Sequence, residues 1–314
     1  MSKLSIVIPV YYNQDNLLPL YTDIKKKIVA TPEFSYEIVM VDDGSKDDSW
    51  AVMQELAAGD ENVRTIKLSR NFGSHAAILC GLASCTGDCA VIKAADLQEP
   101  TEIILDMYSS WQRGNNVVLA VRKGREDKSF FSSAYYWMTR KFALENMPKG
   151  GFDVFLIDRK VIEVLEKLDE KNSAITGQIL WSGFKTDQIY YTRKQREIGK
   201  SRWTLKKKVK LVADTLFGFS NLPIAAVTAV GVMSCAGSSV WAVYVLIGKI
   251  MGDIPIQGFT TLFIFQLFSF GIIMLTLGIL GGYIWRSFDA SRNRPVYIIE
   301  EKPRDEKNTE EKPL

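Results

Sequence analysis

Oxygen-bearing side chains follow two apolar segments that are typical of buried β-strands. Asp42 comes directly after residues 37–41, and Asp96 follows residues 89–94, with Gln98 two positions further on. Carboxylates that meet at one edge of a sheet repel one another, so an opposite charge must offset them. Divalent cations such as Mg²⁺ take oxygen ligands, commonly one or two carboxylates together with substrate phosphates. The pattern therefore predicts a site for a divalent cation and a polyphosphate.

A structural role is the alternative for each of these residues. Asp, Ser and Gly are favoured at helix N-termini and in turns as well as in ligand-binding loops. We expect helix capping for Ser45, Asp47 and Asp48, and ligand contact for Asp42 and Asp96.

Other kinds of active site are not supported by the sequence. It contains no GxxxxGK[ST] and no GxGxxG pattern, so a P-loop ATPase and a dinucleotide oxidoreductase are both unsupported. His75 is the only histidine, and Cys80, Cys85, Cys89 and Cys235 do not have the spacing of metal ligands. We therefore expect neither a zinc site nor a Cys/His or Ser/His mechanism, and we expect reduced cysteines.

Five apolar segments rich in β-branched residues alternate with segments of helical periodicity up to about residue 125. The predicted strands are residues 4–10, 37–41, 64–68, 89–94 and 116–121. Near-continuous apolar strands alternating with helices predict an α/β domain whose parallel sheet is covered on both faces. The candidate site residues then lie at the carboxyl ends of the strands, where such sheets bind ligands. Residues 126–190 are expected to be mostly helical, with helices at 129–144, 161–168 and 175–181 and breaks at residues 148–151 and at the apolar residues 152–157.

Two long segments carry no charged residue, although the mean hydropathy of the whole chain is −0.00. Residues 222–248 and 259–285 have 27 residues each. A helix of that length is about 40 Å long and could cross the ~30 Å hydrocarbon core of a bilayer. A purely soluble protein is therefore excluded. Residues 249–258 are too few for a domain, so both ends of the hairpin face one side, and flanking Lys and Arg residues indicate the cytoplasm.

A very basic segment precedes the first uncharged stretch. Residues 193–210 contain nine Lys or Arg and one Glu, and from Thr204 the apolar residues follow helical spacing. This pattern predicts an amphipathic helix in the membrane interface beside anionic lipid, with a solvated charged face as the alternative. The predicted organisation is a catalytic domain at 1–192, a basic juxtamembrane segment at 193–221, a transmembrane hairpin at 222–286 and a cytoplasmic tail at 287–314 with a disordered end.

Four motifs occur in the order and spacing of the family 2 glycosyltransferases. They are Val7-Ile8-Pro9-Val10-Tyr11, Val41-Asp42-Asp43-Gly44-Ser45, Leu68-Ser69-Arg70-Asn71-Phe72-Gly73 and Ala95-Asp96-Leu97-Gln98-Glu99-Pro100. With the basic segment and the hairpin, they make the chain resemble the polyprenyl-phosphate glycosyltransferases, relatives of dolichol-phosphate mannose synthase. Within that group it is similar to the bacterial branch with two C-terminal membrane helices. The resemblance extends from residue 4 to about residue 290.

The resemblance implies a GT-A fold, which is a Rossmann-like domain with a mostly parallel sheet. It also implies a nucleotide-diphosphate sugar as donor, with UDP as the expected nucleotide. By their positions in the motifs, Pro9, Tyr11, Asp42 and Arg70 would bind the nucleotide.

The fourth motif corresponds to the metal motif of the family. By this resemblance Asp96 and Gln98 would hold Mg²⁺ or Mn²⁺ against the diphosphate. Relatives often have Asp-x-Asp at this place, whereas this chain has Ala94 at the first position. One carboxylate, one amide oxygen and two phosphate oxygens still leave room for water in an octahedral shell, so weaker metal binding is expected.

The catalytic carboxylate of such enzymes follows a Gly-rich turn, and Asp153 matches that position. Asp153 lies in an apolar run, where an unpaired carboxylate is costly and a functional one is expected, with local capping or pairing as the alternative. The predicted ligands of the acceptor phosphate are Arg122, Arg125, Arg196, Lys200, Ser201 and Arg202. A phosphate monoester is mostly deprotonated at pH 7 because its second pKa is ~6, so it is already nucleophilic. We therefore expect it to displace the diphosphate directly, with inversion of the anomeric carbon and without a covalent intermediate.

The function implied is transfer of a hexose to polyprenyl (undecaprenyl) phosphate at the cytoplasmic face of the inner membrane. The product would be a lipid-linked sugar donor for cell-envelope glycan modification. A homo-oligomer, specifically a tetramer, is implied, and no nucleic-acid partner is expected. One alternative is a processive polysaccharide synthase, although Gln195 lies seven residues before Arg202 and does not form the required Gln-x-x-Arg-Trp. The other is a catalytically idle membrane protein that binds nucleotide sugars, which Ala94 suggests.

Overall fold

The computed structural model describes residues 2–29, 35–123, 130–168, 174–193, 205–251 and 258–302. The chain forms two compact units. The first comprises Met1–Leu211 together with Pro295–Leu314, and the second comprises Val212–Arg294. The chain therefore leaves the first unit and later returns to it.

One sheet forms the centre of the first unit. Its strands are β1 (Lys3–Val10), β2 (Ser35–Asp42), β3 (Val63–Leu68), β4 (Cys89–Ile92), β5 (Val117–Arg122), β6 (Phe152–Asp158), β7 (Thr186–Tyr191) and β8 (Ile299–Glu301). They lie in the order β7-β5-β6-β4-β1-β2-β3-β8. Among these strands only β6 and β8 run antiparallel to their neighbours. The predicted mostly parallel sheet is confirmed, and the five predicted strands are present with bounds that differ by at most two residues.

Helices cover the sheet. They are α1 (Gln14–Ile24), continued by a π-helical turn (Lys25–Val29), α2 (Ser49–Gly59), α3 (Ser74–Ser84), α4 (Ile103–Gln112), α5 (Phe130–Phe142), α6 (Arg159–Lys167) and α7 (Ile175–Trp181). Successive residues Ile6, Val7 and Ile8 of β1 have no exposed surface, as expected for a strand between two helical layers. Gly81 of α3 lies so close to β1 that a Cβ there would overlap the Val7 side chain. Its lack of a side chain allows this close packing.

The strands β6 and β7 are differences from the sequence-based expectation, because no strand was predicted in residues 126–190. β6 occupies the apolar break expected at residues 152–157. β7 pairs in parallel with β5 at the edge of the sheet, and most of its residues are exposed or partly exposed. Alternate residues of β7 are exposed, so its sequence lacks the continuous apolar run by which the central strands are recognised.

The C-terminal segment completes the other edge of the sheet. β8 pairs antiparallel with β3 at this edge. The Lys67 Nζ of β3 lies 3.4 Å from Glu300 Oε2 and 3.5 Å from Glu301 Oε1. The Ser69 N–H donates to the Ile298 carbonyl at 3.0 Å. The tail beyond residue 302, with its expected disordered end, lies outside the described residues.

The second unit contains the end of α8 (Leu205–Phe219), together with α9 (Leu222–Ile250) and α10 (Phe259–Ser291). Judged by length and composition alone, Leu222–Trp241 and Phe268–Ser291 are long and apolar enough to cross a membrane. Their large apolar side chains are exposed, for example Trp241 at 63% and Phe268 at 65%. Exposed apolar surface of this extent is typical of a surface that meets lipid or another protein.

The end of α8 is fixed to α10 by polar and aromatic contacts. Asp214 Oδ1 lies 2.6 Å from Arg286 Nη2 in a mostly buried ion pair. The Arg286 guanidinium also lies 5.2 Å from the centre of the Phe217 ring, which in turn packs 5.0 Å from the Tyr283 ring. The predicted helix after Thr204 is therefore present, and its position in the membrane interface stays a prediction.

Candidate active site

The predicted nucleotide ligands lie at the carboxyl ends of neighbouring parallel strands. Pro9 of β1 pairs with Val41 of β2, and the next pair along the strands is Val10 with Asp42. Tyr11 follows β1 directly, so it and Asp42 belong to adjacent loops at one edge of the sheet. This edge is where parallel α/β sheets bind ligands.

Asp42 ends β2 and is fully buried. Both of its carboxylate oxygens lie 3.2 Å from the backbone nitrogen of Ser45 and accept its N–H. Burial raises the pKa of Asp42, and the hydrogen bonds from Ser45 oppose that shift. Asp42 thus shapes the turn after β2, and its contact with a nucleotide stays a prediction.

Asp43 and Gly44 join this turn to the loop after β3. The Asp43 carboxylate accepts the N–H of Phe72 at 2.7 Å and of Gly73 at 2.9 Å. Gly44 has a φ of +68°, and a Cβ at this position would lie 2.5 Å from the carbonyl carbon of Arg70. Only a residue without a side chain fits this close approach in the left-handed region. The two loops are therefore in backbone contact, a role for Asp43 that the sequence analysis missed.

Arg70 is exposed on the loop after β3. Its guanidinium stacks over the Phe72 ring at 4.0 Å from the ring centre, and Nη1 donates to the Asn71 carbonyl at 3.3 Å. The planar guanidinium fork suits phosphate oxygens. Arg70 therefore presents a positive charge beside the loop held by Asp43.

The loop after β1 is tied to the region after β2 by two hydroxyl groups. The Tyr12 N–H donates to Ser45 Oγ at 2.9 Å, and the Asn13 N–H donates to Ser49 Oγ at 2.9 Å. Tyr12 has a φ of 53°, which is uncommon for a residue with a bulky side chain. The Tyr11 and Tyr12 rings meet edge to face with centres 4.7 Å apart. Ser45 therefore positions the loop that carries Tyr11.

The expected capping roles are confirmed for one residue of three. Asp47 Oδ1 accepts the N–H of Ser49, the first residue of α2, at 3.2 Å. Asp48 occupies the N-cap position but makes no capping bond with its side chain. Ser45 bonds Tyr12 in the neighbouring loop instead, because the turn after β2 directs its hydroxyl towards the loop after β1.

The predicted metal ligands converge on one arginine. Gln98 Oε1 accepts a hydrogen bond from Arg193 Nη2 at 2.5 Å. Asp96 Oδ2 lies 3.7 Å and Glu99 Oε1 3.6 Å from the same nitrogen. Leu97 between them has a φ of 57°, a strained conformation that clusters at functional sites. Carboxylate and amide oxygens grouped around one point of positive charge are the donors that Mg²⁺ or Mn²⁺ takes, so these residues fit a divalent cation.

A buried lysine lies behind this cluster. Lys93 has no exposed surface, and its Nζ donates to the Glu99 carbonyl at 2.5 Å and lies 3.9 Å from Glu99 Oε2. Burial raises the pKa of Glu99, and the charge of Lys93 opposes this shift. Within the described part of the chain, Glu99 Oε2 has no hydrogen-bond partner. Lys93 and Glu99 therefore place one positive and one negative charge beside the metal motif, close to Ala94.

Asp153 and Arg122 form an ion pair through Oδ2 and Nη2. Arg122 Nε also donates to the Tyr191 hydroxyl at 3.3 Å, which links the ends of β5 and β7. The structure thus brings together a predicted catalytic residue and a predicted ligand of the acceptor phosphate.

A β-bulge carries Asp153. Ala120 of β5 pairs with Val154, whereas Val121 pairs with Phe152, so Asp153 is an extra residue in β6. The side chain of Asp153 is 59% exposed. The bulge turns Asp153 outwards while Phe152 and Val154 stay buried, so the carboxylate is exposed and paired with Arg122. This contact is the local pairing named as the alternative, and the catalytic role of Asp153 stays a prediction. Bulges are over-represented next to active sites, where they re-aim a side chain.

The family model for glycosyl transferase family 2 matches residues 5–162, half of the chain. The chain belongs to glycosyl transferase family 2. It is 35% identical over 300 residues to the uncharacterized glycosyltransferase YkcC of Bacillus subtilis (strain 168), across 94% of this chain and 93% of that protein. It is 30% identical over 301 residues to the bactoprenol glucosyl transferase of Shigella phage SfV, across 95% of this chain and 98% of that protein.

Solved structures agree with this assignment at the level of the fold. Glucosyl-3-phosphoglycerate synthase from Mycobacterium tuberculosis, in complex with Mn²⁺, UDP and phosphoglyceric acid, is similar with a TM-score of 0.50 and 13% identity. The similarity covers 69% of this chain and 76% of the synthase. The catalytic unit of this family 2 glycosyltransferase therefore has the GT-A fold.

The sequence analysis of this glycosyltransferase did not connect Arg193 with the metal motif. Arg193 was grouped with the juxtamembrane bases, because the polar strand β7 that carries it to the metal motif was not recognised. Burial lowers the pKa of Arg193, and the nearby Arg122 lowers it further, so the metal motif and the Arg122–Asp153 pair are electrostatically linked. The other predicted ligands of the acceptor phosphate lie outside the described residues: Arg125, Arg196, Lys200, Ser201 and Arg202.

Proposed function

We propose that this glycosyltransferase moves a hexose from a UDP-sugar to polyprenyl (undecaprenyl) phosphate at the cytoplasmic face of the membrane. One observation carries the proposal: the similarity to the phage bactoprenol glucosyl transferase covers 95% of this chain and 98% of that protein. It therefore includes the two apolar helices as well as the catalytic sheet, and the part that would meet a lipid is shared. The product would be a lipid-linked sugar donor for modification of cell-envelope glycans.

The donor would bind at the carboxyl ends of β1, β2 and β3. Pro9, Tyr11, Asp42 and Arg70 would hold the nucleotide, and the contact between their loops supports this role. Arg70 offers an exposed guanidinium, which forms charge-assisted hydrogen bonds to phosphate oxygens.

Asp96 and Gln98, with Glu99 beside them, would hold Mg²⁺ or Mn²⁺. A bound divalent cation supplies charge that stabilises the departing diphosphate. The motif lacks a carboxylate at Ala94, and Glu99 could supply one instead. Glu99 Oε1 lies 3.6 Å from Arg193 Nη2, the nitrogen that Asp96 and Gln98 also approach. Comparison of the transfer rates with Mg²⁺ and with Mn²⁺ decides which cation supports the reaction.

The acceptor phosphate would meet Arg122 and Asp153, together with Arg125, Arg196, Lys200, Ser201 and Arg202. Because a phosphate monoester is mostly deprotonated at pH 7, the site needs little general-base power. An exposed Asp153 held by Arg122 suits a residue that orients the acceptor on the face opposite the diphosphate. Direct displacement would then invert the anomeric carbon without a covalent intermediate.

The proposal includes a multi-pass position in the inner membrane with both termini in the cytoplasm. Lys and Arg residues flank the two apolar helices on that side. The basic helix α8 would lie in the interface beside anionic lipid. The chain would assemble as a tetramer, which light scattering of the detergent-solubilised protein tests.

The direct test is synthesis of the lipid-linked sugar. Membranes containing the protein are incubated with undecaprenyl phosphate, either Mn²⁺ or Mg²⁺, and a panel of radiolabelled UDP-sugars. We expect one donor to give a labelled lipid, and EDTA to abolish the signal. If no donor labels the lipid with either metal, the proposed function is wrong.

Two variants test the assigned residues in the same assay. Asp96→Ala and Asp153→Ala should each lower the rate by at least about 100-fold, since groups at the reacting centre contribute this much. The matched control is Asp106→Ala, which removes an exposed carboxylate of α4 and should leave the rate unchanged. Normal transfer by either site variant would refute the role given to that residue.

A further inference from the structure

Arg193 is positioned as a cation among the proposed metal ligands. Its Nη2 lies 2.5 Å from Gln98 Oε1, 3.6 Å from Glu99 Oε1 and 3.7 Å from Asp96 Oδ2. Three oxygens from three residues therefore lie within 3.7 Å of one nitrogen of the guanidinium, with a hydrogen bond to Gln98 and ion-pair contacts to Asp96 and Glu99. The Arg193 side chain is only 30% exposed, so this contact is not a loose surface ion pair.

Two acidic and two basic residues of the described part of the chain form the ion pairs at this point. Asp96 and Glu99 are acidic, and Lys93 and Arg193 are basic, with the Lys93 side chain fully buried behind Glu99. Among these four residues, removal of the Arg193 charge would leave two carboxylates and one ammonium group. The cluster would then attract a cation more strongly, because the repulsion between that cation and the guanidinium a few ångströms away is lost.

We propose that Arg193 is an internal competitor of the divalent cation. Its guanidinium holds Asp96, Gln98 and Glu99 together in the donor-free enzyme, and it must withdraw before a cation can take the same oxygens. This inference rests on the metal site in the proposed function and adds a regulatory step to it.

The position of Arg193 in the chain gives this exchange a consequence. Arg193 directly precedes residues 194–204, in which the proposed function has four ligands of the acceptor phosphate: Arg196, Lys200, Ser201 and Arg202. The proposed exchange thereby releases the residue that directly precedes the acceptor-binding segment.

The experiment is a titration of the full-length protein in detergent with Mn²⁺ alone, without nucleotide or lipid. Free Mn²⁺ is measured by electron paramagnetic resonance for the wild type, Arg193→Gln and Arg193→Lys. Arg113→Gln is the matched control, because Arg113 is an exposed arginine whose Nη2 lies 3.8 Å from Asp187 Oδ2, away from the metal motif. Melting curves of all four proteins establish that they are folded.

We expect Arg193→Gln to bind Mn²⁺ about tenfold more tightly than the wild type, which corresponds to about 1.4 kcal/mol. Arg193→Lys keeps the competing charge and should stay within about threefold of the wild type by the same relation. Arg113→Gln should be unchanged. Equal or weaker binding by Arg193→Gln, including no binding by any of the proteins, overturns the proposal. If Arg193→Gln is unfolded, Arg193→Lys decides the question. Mn²⁺ binding by Arg193→Lys that is about tenfold tighter than that of the wild type would also overturn the proposal.

The two proposals fail in different ways. The proposed function fails if the wild type makes no lipid-linked sugar with any donor. The competition fails if Mn²⁺-dependent transfer is observed while the affinity for Mn²⁺ does not rise in Arg193→Gln.

Discussion

At the scale of single residues, Gly44 sets the distance between the loops after β2 and β3. Gly44→Ala would put a Cβ 2.5 Å from the Arg70 carbonyl carbon in a left-handed conformation. The conformation alone costs about 1–2 kcal/mol of folding free energy, and the overlap separates the two loops. We expect a lower melting temperature and at least about tenfold weaker UDP binding by calorimetry, a loss of about 1.4 kcal/mol.

Gly59→Ala is the matched control for that substitution. Gly59 ends α2 with open space around the position of a Cβ, so its replacement should leave UDP binding unchanged and should not lower the melting temperature. Unchanged UDP binding in Gly44→Ala would mean that the contact between the loops does not shape the nucleotide site.

His75 of α3 makes the stability of the enzyme sensitive to acid. Both ring nitrogens are buried without a hydrogen-bond partner among the described residues, and burial lowers the pKa of His75 to about 4. An unfolded histidine has a pKa of about 6.5. Between these values the unfolded chain binds a proton that the folded chain does not, so stability falls as pH is lowered from 6.5 to 4.

The variant His75→Leu should remove this dependence on pH. We expect a higher melting temperature than the wild type at pH 4.5 and a smaller difference at pH 7.5, measured by intrinsic fluorescence in detergent. If the difference in melting temperature between the two proteins is the same at every pH in this range, His75 does not cause the loss of stability in acid.

The residues of the site were predictable to different degrees. The motif that contains Asp96 and Gln98 is local in sequence, so its position after β4 followed from the pattern. Arg193 reaches the same point from a distant part of the chain, and nothing in its own neighbourhood distinguishes it from the other bases. The exposure of Asp153 depends on a single extra residue in β6, a matter of register that apolar periodicity does not show.

At the scale of secondary structure elements, β8 supports the loop that carries Arg70. A chain ending at Val296 would lose β8 and the hydrogen bond from the Ser69 N–H to the Ile298 carbonyl. We expect a lower melting temperature and weaker UDP binding, because the outer edge of β3 and the loop that follows it lose their partner.

A chain ending at Lys302 is the control for this truncation. It keeps β8 and the contacts of Lys67 with Glu300 and Glu301, so it should behave as the full chain does. Equal melting temperatures for the two truncated proteins would show that β8 adds nothing to the stability of the sheet.

The central strands were predictable because burial on both faces leaves a continuous apolar run in the sequence. β7 and β8 lie at the two edges of the sheet and are polar on their exposed side, so their place depends on partners far away in the chain. The helices α5, α6 and α7 were found near their predicted positions, because helical periodicity is a local signal.

At the scale of the whole molecule, the proposed topology predicts which side of the membrane each segment faces. Asp253 lies between the two apolar helices in the sequence, and Ser291 is the last residue of α10. Each is replaced by cysteine in a separate variant. In a Cys235→Ser background, a membrane-impermeant maleimide should label Asp253→Cys in intact spheroplasts. Ser291→Cys should be labelled only after permeabilisation.

The remaining native thiols should not interfere with this experiment. Cys80, Cys85 and Cys89 are buried, and burial raises the pKa of each thiol, which keeps it protonated and unreactive. Labelling with the two positions reversed would contradict the cytoplasmic location of the termini.

The return of the chain to its first unit has a consequence for biosynthesis. Because translation proceeds from the N-terminus, the outer edge of β3 has no β8 to pair with until both apolar helices have left the ribosome. An unpaired strand edge can pair with another chain and start aggregation. The time needed for insertion into the bilayer thus sets how long the edge of β3 stays unpaired in each nascent molecule. Slower membrane insertion should therefore increase the fraction of enzyme that aggregates.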